Sequence, residues 1–346
     1  MNILSGVSEF FGLDIGTTAI RVAELRSTGG AKSLIRYAYA PIDPKVVSSD
    51  SPADIQKVAQ AIRELVAQAK ITTKNVAVNV PSQRVFTTVV DIERLSEADL
   101  AKTIKFQADQ LIPTPLAESK IDWALIGDSP VDKSKVEILL SSVPNTYIEQ
   151  RLDMLEMIGL NVIAFEPDGM ALTRALLPTD ATGARMVLDI GNKTTDLVIV
   201  INGVPRLTRS ISTGTEAIIR AAMQNLNVDE AQAQQFINKF GLSKEKLEGQ
   251  VFQAVSSTIE ILTSEIEKSI KFFNGRYAGI PIEQLVVTGS ASVIPEFPLF
   301  LANKLGLNVE IGNAWRNVAY PRDRQNELLS IANQFSVAVG LAERQA

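Results

Sequence analysis

Two short stretches set a carboxylate, a glycine and hydroxyl or amide side chains inside otherwise apolar strand sequence: GLDIGTTAIRVAEL at residues 12–25 and VLDIGNKTTDLVIV at residues 187–200. Glycine in a tight strand-to-strand turn lets backbone N–H groups approach a ligand and point at it. Neighbouring threonine hydroxyls add donors, and the whole makes a nest for an anion, of which phosphate is the obvious case. A carboxylate beside such a nest would repel the anion unless a cation lay between them, so Asp14 and Asp189 imply magnesium held mostly through water. One Asp-x-Gly-x-Thr step reads equally as an ordinary β-turn. Two copies, each flanked by strands and a domain's length apart, imply two jaws around one polyphosphate, with Gly16, Thr17 and Thr18 on one side and Gly191, Asn192 and Thr194 on the other. Lys193 inside the second turn is either a cation reaching a phosphate or a solvated turn residue.

A third stretch, VVTGSASVIP, is a strand ending in the small residues Gly289, Ser290 and Ala291, as a flat base and a ribose require; alone it is a generic strand-to-helix turn. The chain has no cysteine and no histidine, which excludes disulfides and thiol catalysis and removes the usual neutral-pH base and the commonest zinc ligand. Lys+Arg 34 against Asp+Glu 39 gives a formal charge of -5 without long runs of one sign, so a nucleic-acid or anionic-membrane footprint is not expected. No secretory leader and no apolar run approaching the ~20 residues of a membrane span is visible, which places the protein in the cytoplasm.

The elements that position these residues are legible in outline. Ser51 caps and Pro52 opens an amphipathic helix that leads into the strand NVAVNV. From about Gln83 the strand RVFTTVVDI, a helix opened by a Ser96–Asp99 box, the strands KIDWALIG and KVEILLSSV, and a helix capped by Asn145 and closed by Gly159 make a βαββα unit over 84–161. Beyond it come FEPDGMAL, the second aspartate-glycine stretch, a helix opened by a Thr213–Glu216 box, and a long helix from about Gly249 to Phe273 with an apolar stripe running from Val251 to Phe273.

With both aspartate-glycine stretches and the Gly289 turn in view, the chain resembles the actin, sugar-kinase and heat-shock chaperone superfamily over nearly its whole length. The resemblance implies an α/β, actin-like (ribonuclease-H-like) two-lobed fold that binds ATP and magnesium. FEPDGMAL then matches the first interdomain helix, with Glu166 helping to position magnesium and water. SVAVGLA, with small Ala338 and Gly340, matches the second; alone it is equally a small-residue core helix. Glu265 and Lys268, three apart on the long helix, resemble ribose and adenine contacts, an exposed ion pair being the alternative, and Gly214 joins the candidate nucleotide contacts. Thr288 and Gly289 stand where the superfamily has two glycines, which puts base affinity in question. Hydrolysis is expected to be slow, because Glu166 is the one evident base, with Asp14 and Asp189 orienting metal and water.

Within the unit at 84–161, Ile112, Pro113, Pro115, Leu116, Glu118, Asp122 and Trp123 reproduce a pattern of the PilM family of pilus-assembly proteins. That resemblance implies a cytoplasmic scaffold of a type IV pilus or type II secretion platform, which reaches the inner membrane by holding the N-terminal cytoplasmic tail of a PilN-like membrane protein in a groove beside an FtsA-type inserted subdomain. An FtsA-like cell-division protein or a small-molecule kinase of the superfamily is the alternative. The expected division is a first lobe from 1–83 and 162–180 with part of the C-terminal helix, the insert at 84–161, and a second lobe at 181–346 with a helical part at about 215–275. The apolar lead with Ile3, Leu4, Val7, Phe10 and Phe11 is read as packing on its own lobe, as weak membrane contact, or as a mimic of the partner tail (Met1–Asn2–Ile3–Leu4–Ser5) that would drive self-association.

Overall fold

The computed structural model describes residues 9–344. Its strands are β1 (Phe11–Ile15), β2 (Ala19–Thr28), β3 (Ala31–Pro41), β4 (Asn75–Val80), β5 (Phe86–Glu93), β6 (Ser119–Asp128), β7 (Lys135–Pro144), β8 (Asn161–Pro167), β9 (Ala184–Ile190), β10 (Thr195–Ile201), β11 (Val204–Ile211), β12 (Ile282–Gly289), β13 (Asn308–Ile311) and β14 (Val318–Ala319). Two sheets share one plan. The first runs β14-β3-β2-β1-β4-β8 and the second β11-β10-β9-β12-β13. In both, an antiparallel meander meets a parallel half at the aspartate-bearing strand, β1 beside β4 and β9 beside β12. That central strand has neighbours on both edges and covered faces, which is why FGLDI and MVLDI read as nearly unbroken apolar runs.

Helices Asp168–Leu176 and Ser336–Ala342 pack between the two sheets, in one core with Ala23 and Ala77 of the first and Val187, Val198 and Val286 of the second. They cross closely enough that a Cβ on Gly340 would lie 1.9 Å from the Ala171 carbonyl oxygen, and one on Gly12 2.1 Å from that of Ala338. Only glycine permits either approach. The outer face of the first sheet is closed by helix Pro52–Gln68, started by Ser51 accepting the Asp54 amide and presenting Val58, Ala59, Ile62 and Leu65 inward. That of the second is closed largely by the long helix Gln250–Arg276, whose buried residues Val251, Val255, Ile259, Leu262, Ile266 and Phe273 follow the expected stripe. Strands β5-β7-β6 form a separate antiparallel sheet, and helix Glu97–Leu111 buries Leu100, Ile104 and Ala108 against it.

The structure departs from the expected boundaries at two places. Helix Asn145–Met157 seats Met154 and Leu155 in the core of the first lobe, so the inserted unit ends near Pro144 rather than at 161. From about residue 313 the chain leaves the second lobe: β14 pairs with β3, and Trp315 and Phe335 pack around Tyr37. In each case the apolar side chains are those of an ordinary amphipathic segment, and their spacing does not say which core they close. The Thr213–Glu216 box also does not form; helix Thr215–Leu226 begins after Gly214 without a side-chain cap. Helix Glu230–Phe240, which was not anticipated, carries a capping box between Asp229 and Gln232. Of the apolar lead, Phe11 is buried in β1 and Phe10 packs on the core between the sheets, while residues 1–8 lie outside the described residues. No helix of the described residues is long and apolar enough to cross a membrane.

Candidate functional site

The two aspartate-glycine hairpins face each other across a cleft of about 360 Å³. Their turns are built alike. The amide of Gly16 donates to the Ala19 carbonyl at 3.1 Å, and that of Gly191 to the Thr194 carbonyl at 2.9 Å. Asp14, Gly16, Thr17, Thr18, Asp189, Gly191, Asn192, Lys193, Thr194, Gly289 and Ser290 all line the cleft, so the structure brings most of the residues proposed from sequence into one place. Gly289, at a φ of +81°, passes so near Asp189 that a Cβ there would lie 2.3 Å from its carboxylate oxygen.

Five of the proposed residues lie elsewhere. Glu166, on β8, is buried and faces Arg174 at 2.7 Å and Arg344, so both carboxylate oxygens are committed to structural cations and it does not line the cleft. Two residues on, Asp168 at the start of the interdomain helix occupies the position expected of Glu166, with its Oδ1 accepting from the Asn79 side chain at 3.0 Å. Glu265 and Lys268 pair with each other at 2.6 Å, and Arg209 reaches Glu265 at 2.9 Å, an exposed ion-pair set outside the cleft lining. Ala291 is fully buried, and Gly214 packs against the backbone of Asn192 behind the second turn.

Besides Asp168, three further residues not singled out in the sequence line the cleft and shape its chemistry. Asn79, the penultimate residue of β4, accepts the Ile15 amide at 2.8 Å while holding Asp168. A polar residue near the end of the apolar strand NVAVNV was its signal. Asp196 stands directly across from Asp189 in the β9–β10 ladder. Arg21 stands across from Asp14 in the β1–β2 ladder and donates to it at 3.3 Å. Each interrupts an apolar strand run, and nothing in that local pattern says that it faces a ligand.

Charge dominates the site. Asp14, Asp168 and Asp196 are buried and Asp189 is partly so. Burial raises the Asp14 carboxyl, with Arg21 opposing. Burial, then repulsion from Asp14 and Asp196, holds Asp168 well above the usual carboxylate range. Asp189 is pushed up to about 7 by burial and by Asp196 and Asp14. Burial also raises Asp196, whose Oδ1 finds no hydrogen-bond partner. The Nε of Arg21 is likewise buried without a partner. Two contacts bridge the mouth of the cleft: Lys193 donates to Ser48 at 2.7 Å, and Gln83 donates to Thr194 at 3.0 Å. Lys193 is therefore neither freely solvated nor aimed at the turn amides. Thr288 turns away from the cleft and bonds the Asn333 carbonyl at 3.0 Å and the Ser336 hydroxyl at 2.8 Å. The departure at that position therefore stitches the end of β12 to the start of the second interdomain helix and adds no side chain to the cleft.

A family model described as "Type IV pilus assembly protein PilM" matches residues 12–346. The chain belongs to the PilM family. Among solved structures, one described as a PilM–PilN type IV pilus biogenesis complex is similar over 97% of this chain and 98% of that chain, with 24% identity and a TM-score of 0.82. The ethanolamine utilization protein EutJ from Carboxydothermus hydrogenoformans is similar over 96% and 89%, at 15% identity and a TM-score of 0.58. MreB5 of Spiroplasma citri bound to ADP is similar over 96% and 95%, at 13% identity and a TM-score of 0.57. The fold is thus the actin-like one, and PilM membership, rather than the cell-division or kinase alternative, accounts for the full length of the match.

Proposed function

We propose that this PilM-family protein is a nucleotide-binding scaffold of the type IV pilus assembly platform. Its cleft holds Mg-ATP, and its inserted subdomain receives the N-terminal cytoplasmic tail of a PilN-like membrane protein, which keeps it at the inner membrane. The observation that carries the nucleotide reading is the facing pair of glycine turns above four carboxylates, of which Asp14 alone is paired with a guanidinium, that of Arg21. Turn amides and the unpartnered Arg21 Nε suit phosphate oxygens, and the crowded carboxylates suit a divalent cation. Magnesium, when bound, supplies the charge that offsets both phosphate and carboxylates. Among the described residues no three carboxylates converge as a ready-made metal cage, so Asp14 and Asp189 would hold it largely through its water. With Glu166 committed to two arginines, the remaining candidate base is Asp168. Burial and the neighbouring carboxylates raise its pKa in the ligand-free cleft, and the chain has no histidine to serve as a base, so any hydrolysis is expected to be slow. Calorimetry with ATP in the presence of magnesium and then of EDTA tests this: binding that depends on magnesium is expected, and its absence in folded protein would defeat the reading.

The partner reading is supported by family membership and by a similar solved chain described as a complex with PilN. The insert offers a place for an extended segment, because β6 pairs with β7 on one side only among the described residues. A synthetic tail peptide bound to the intact protein should slow amide exchange along β6. Binding with protection confined to other elements would displace the site.

A further inference from the structure

The insert is joined covalently to the first lobe, through residues 81–85 and the Pro144–Asn145 step, yet its buried polar contacts go to the second lobe. Asp91, Glu137 and Gly127 lie side by side across β5, β7 and β6. Glu137, 1% exposed, is the centre of this row. One carboxylate oxygen accepts from Arg276 Nη2 at 2.8 Å and from the Tyr277 hydroxyl at 2.7 Å; the other faces Arg206 Nε at 3.1 Å. Arg276 also holds Asp91 at 2.9 Å, and Arg206 donates to the Ile126 carbonyl at 2.6 Å. The glycine at 127 leaves room for Arg206, whose Nη2 would lie 3.3 Å from a Cβ there. Arg206 belongs to β11, and Arg276 and Tyr277 end the long helix, so every partner of Glu137 named here is in the second lobe.

We propose that this row is a latch that makes the inserted subdomain travel with the second lobe, so that closure of the cleft reshapes the junction between the subdomain and the first lobe. A buried carboxylate stripped of its cations is strongly disfavoured, so the row separates as a unit or not at all. The compliant points are then the two covalent connections, at 81–85 and 144–145. A ligand that closes the cleft and a segment that fills the junction bias the same rigid-body position. Linkage makes their effects reciprocal, with couplings of this kind on the order of 5–150-fold in affinity. This consequence rests on the proposed nucleotide and tail sites; the latch itself does not.

The chain has no cysteine, so paired spin labels can be introduced cleanly. Lys133→Cys on the insert is combined with Asn238→Cys on the second lobe or with Gln68→Cys on the first, all exposed positions. In the protein without nucleotide, the 133–238 distance distribution is expected to be narrow, and to broaden when Glu137→Ala or Arg206→Gln is added. If it stays narrow in the folded variants, there is no latch. Two substitutions on opposite sides of the contact, each checked by circular dichroism, keep the comparison usable if one fails to fold. On adding Mg-AMPPNP, the 133–68 distance should shift while 133–238 holds. The reverse pattern, or no shift in either despite binding by calorimetry, overturns the proposal. If calorimetry shows no nucleotide binding, the cleft reading fails, and the nucleotide-free comparison still decides the latch.

Discussion

The two aspartate-glycine hairpins superimpose position by position in sequence: Asp14 with Asp189, Gly16 with Gly191, Thr18 with Lys193, and Arg21 with Asp196. The last pair separates them. Across its ladder the first aspartate meets a guanidinium, whereas the second meets another carboxylate. The first jaw therefore pairs its aspartate with a guanidinium of its own, and the second carries an excess of carboxylate that a bound proton or a ligand-borne cation can offset. They differ again two residues before each aspartate, where Gly12 lets the interdomain helix lie against β1 and Val187 fills a core. A duplicated strand plan has thus been given two tasks, one jaw as hinge seat and one as metal-demanding wall.

Exchanging the hinge-seat residues should have the largest effect. Gly12→Val would drive a side chain into the backbone of helix Ser336–Ala342 and cost about 4 kcal/mol or more, while Val187→Ala should cost about 2 kcal/mol. Urea unfolding of both variants measures the asymmetry; equal costs would contradict it.

Next comes Arg21→Met, which leaves the buried Asp14 carboxylate unpaired and should destabilise by about 3 kcal/mol at pH 8. The loss should shrink at pH 5 as Asp14 protonates, and the double variant with Asp14→Asn should recover most of it. A loss independent of pH would assign Arg21 a packing role instead.

Asp196→Asn should do the opposite to the second jaw. Burial and the neighbouring carboxylates push the Asp189 carboxyl up to about 7, well above that of an unfolded chain, so between these values the folded protein holds a proton that the unfolded chain has released. Stability from this group is complete below about pH 4 and is lost as pH rises through about 7. Removing the Asp196 charge lowers that pKa, so the ligand-free variant should be more stable by about 1–2 kcal/mol at pH 8 and unchanged below pH 4. Thermal melts in EDTA across this range would show a flatter profile, and nucleotide binding should lose much of its magnesium dependence.

The smallest effect is expected outside both jaws. Lys268→Ala, in the exposed set with Glu265 and Arg209, should alter nucleotide affinity by less than about twofold. A tenfold loss by calorimetry would return that set to the nucleotide site.

Much of this was readable in the sequence because it depends on local chemistry. The hairpins, the Ser51 and Ser96 caps, the stripe of the long helix and the small residues of the second interdomain helix are each written within a few turns of chain. What depends on distant partners was not readable. Glu166 precedes a proline at a strand end just as a site carboxylate would, and only the fold shows that Arg174 and Arg344 claim it while Asp168 reaches the cleft. Glu265 and Lys268 share a helix face, but that face looks toward Arg209 on β11 rather than toward the cleft. Helix Asn145–Met157 has only a narrow apolar face around Met154 and Leu155, and its sequence is silent on which of two adjacent cores it seals.

The return of the C-terminal chain to the first sheet carries a consequence for biosynthesis. The second lobe's sheet is drawn from one uninterrupted run, Ala184 to Ile311, and can assemble as soon as that run leaves the ribosome. The first lobe's sheet begins at Phe11 but waits for β14, and its inner face, met in part by helix Asp168–Leu176, is fully covered only when Trp315, Phe335 and helix Ser336–Ala342 arrive. At ~5–20 residues per second that delay amounts to roughly tens of seconds. For that time the earliest-made strands present an apolar surface that the chain already synthesised covers only in part, so the half of the molecule translated first is the half completed last.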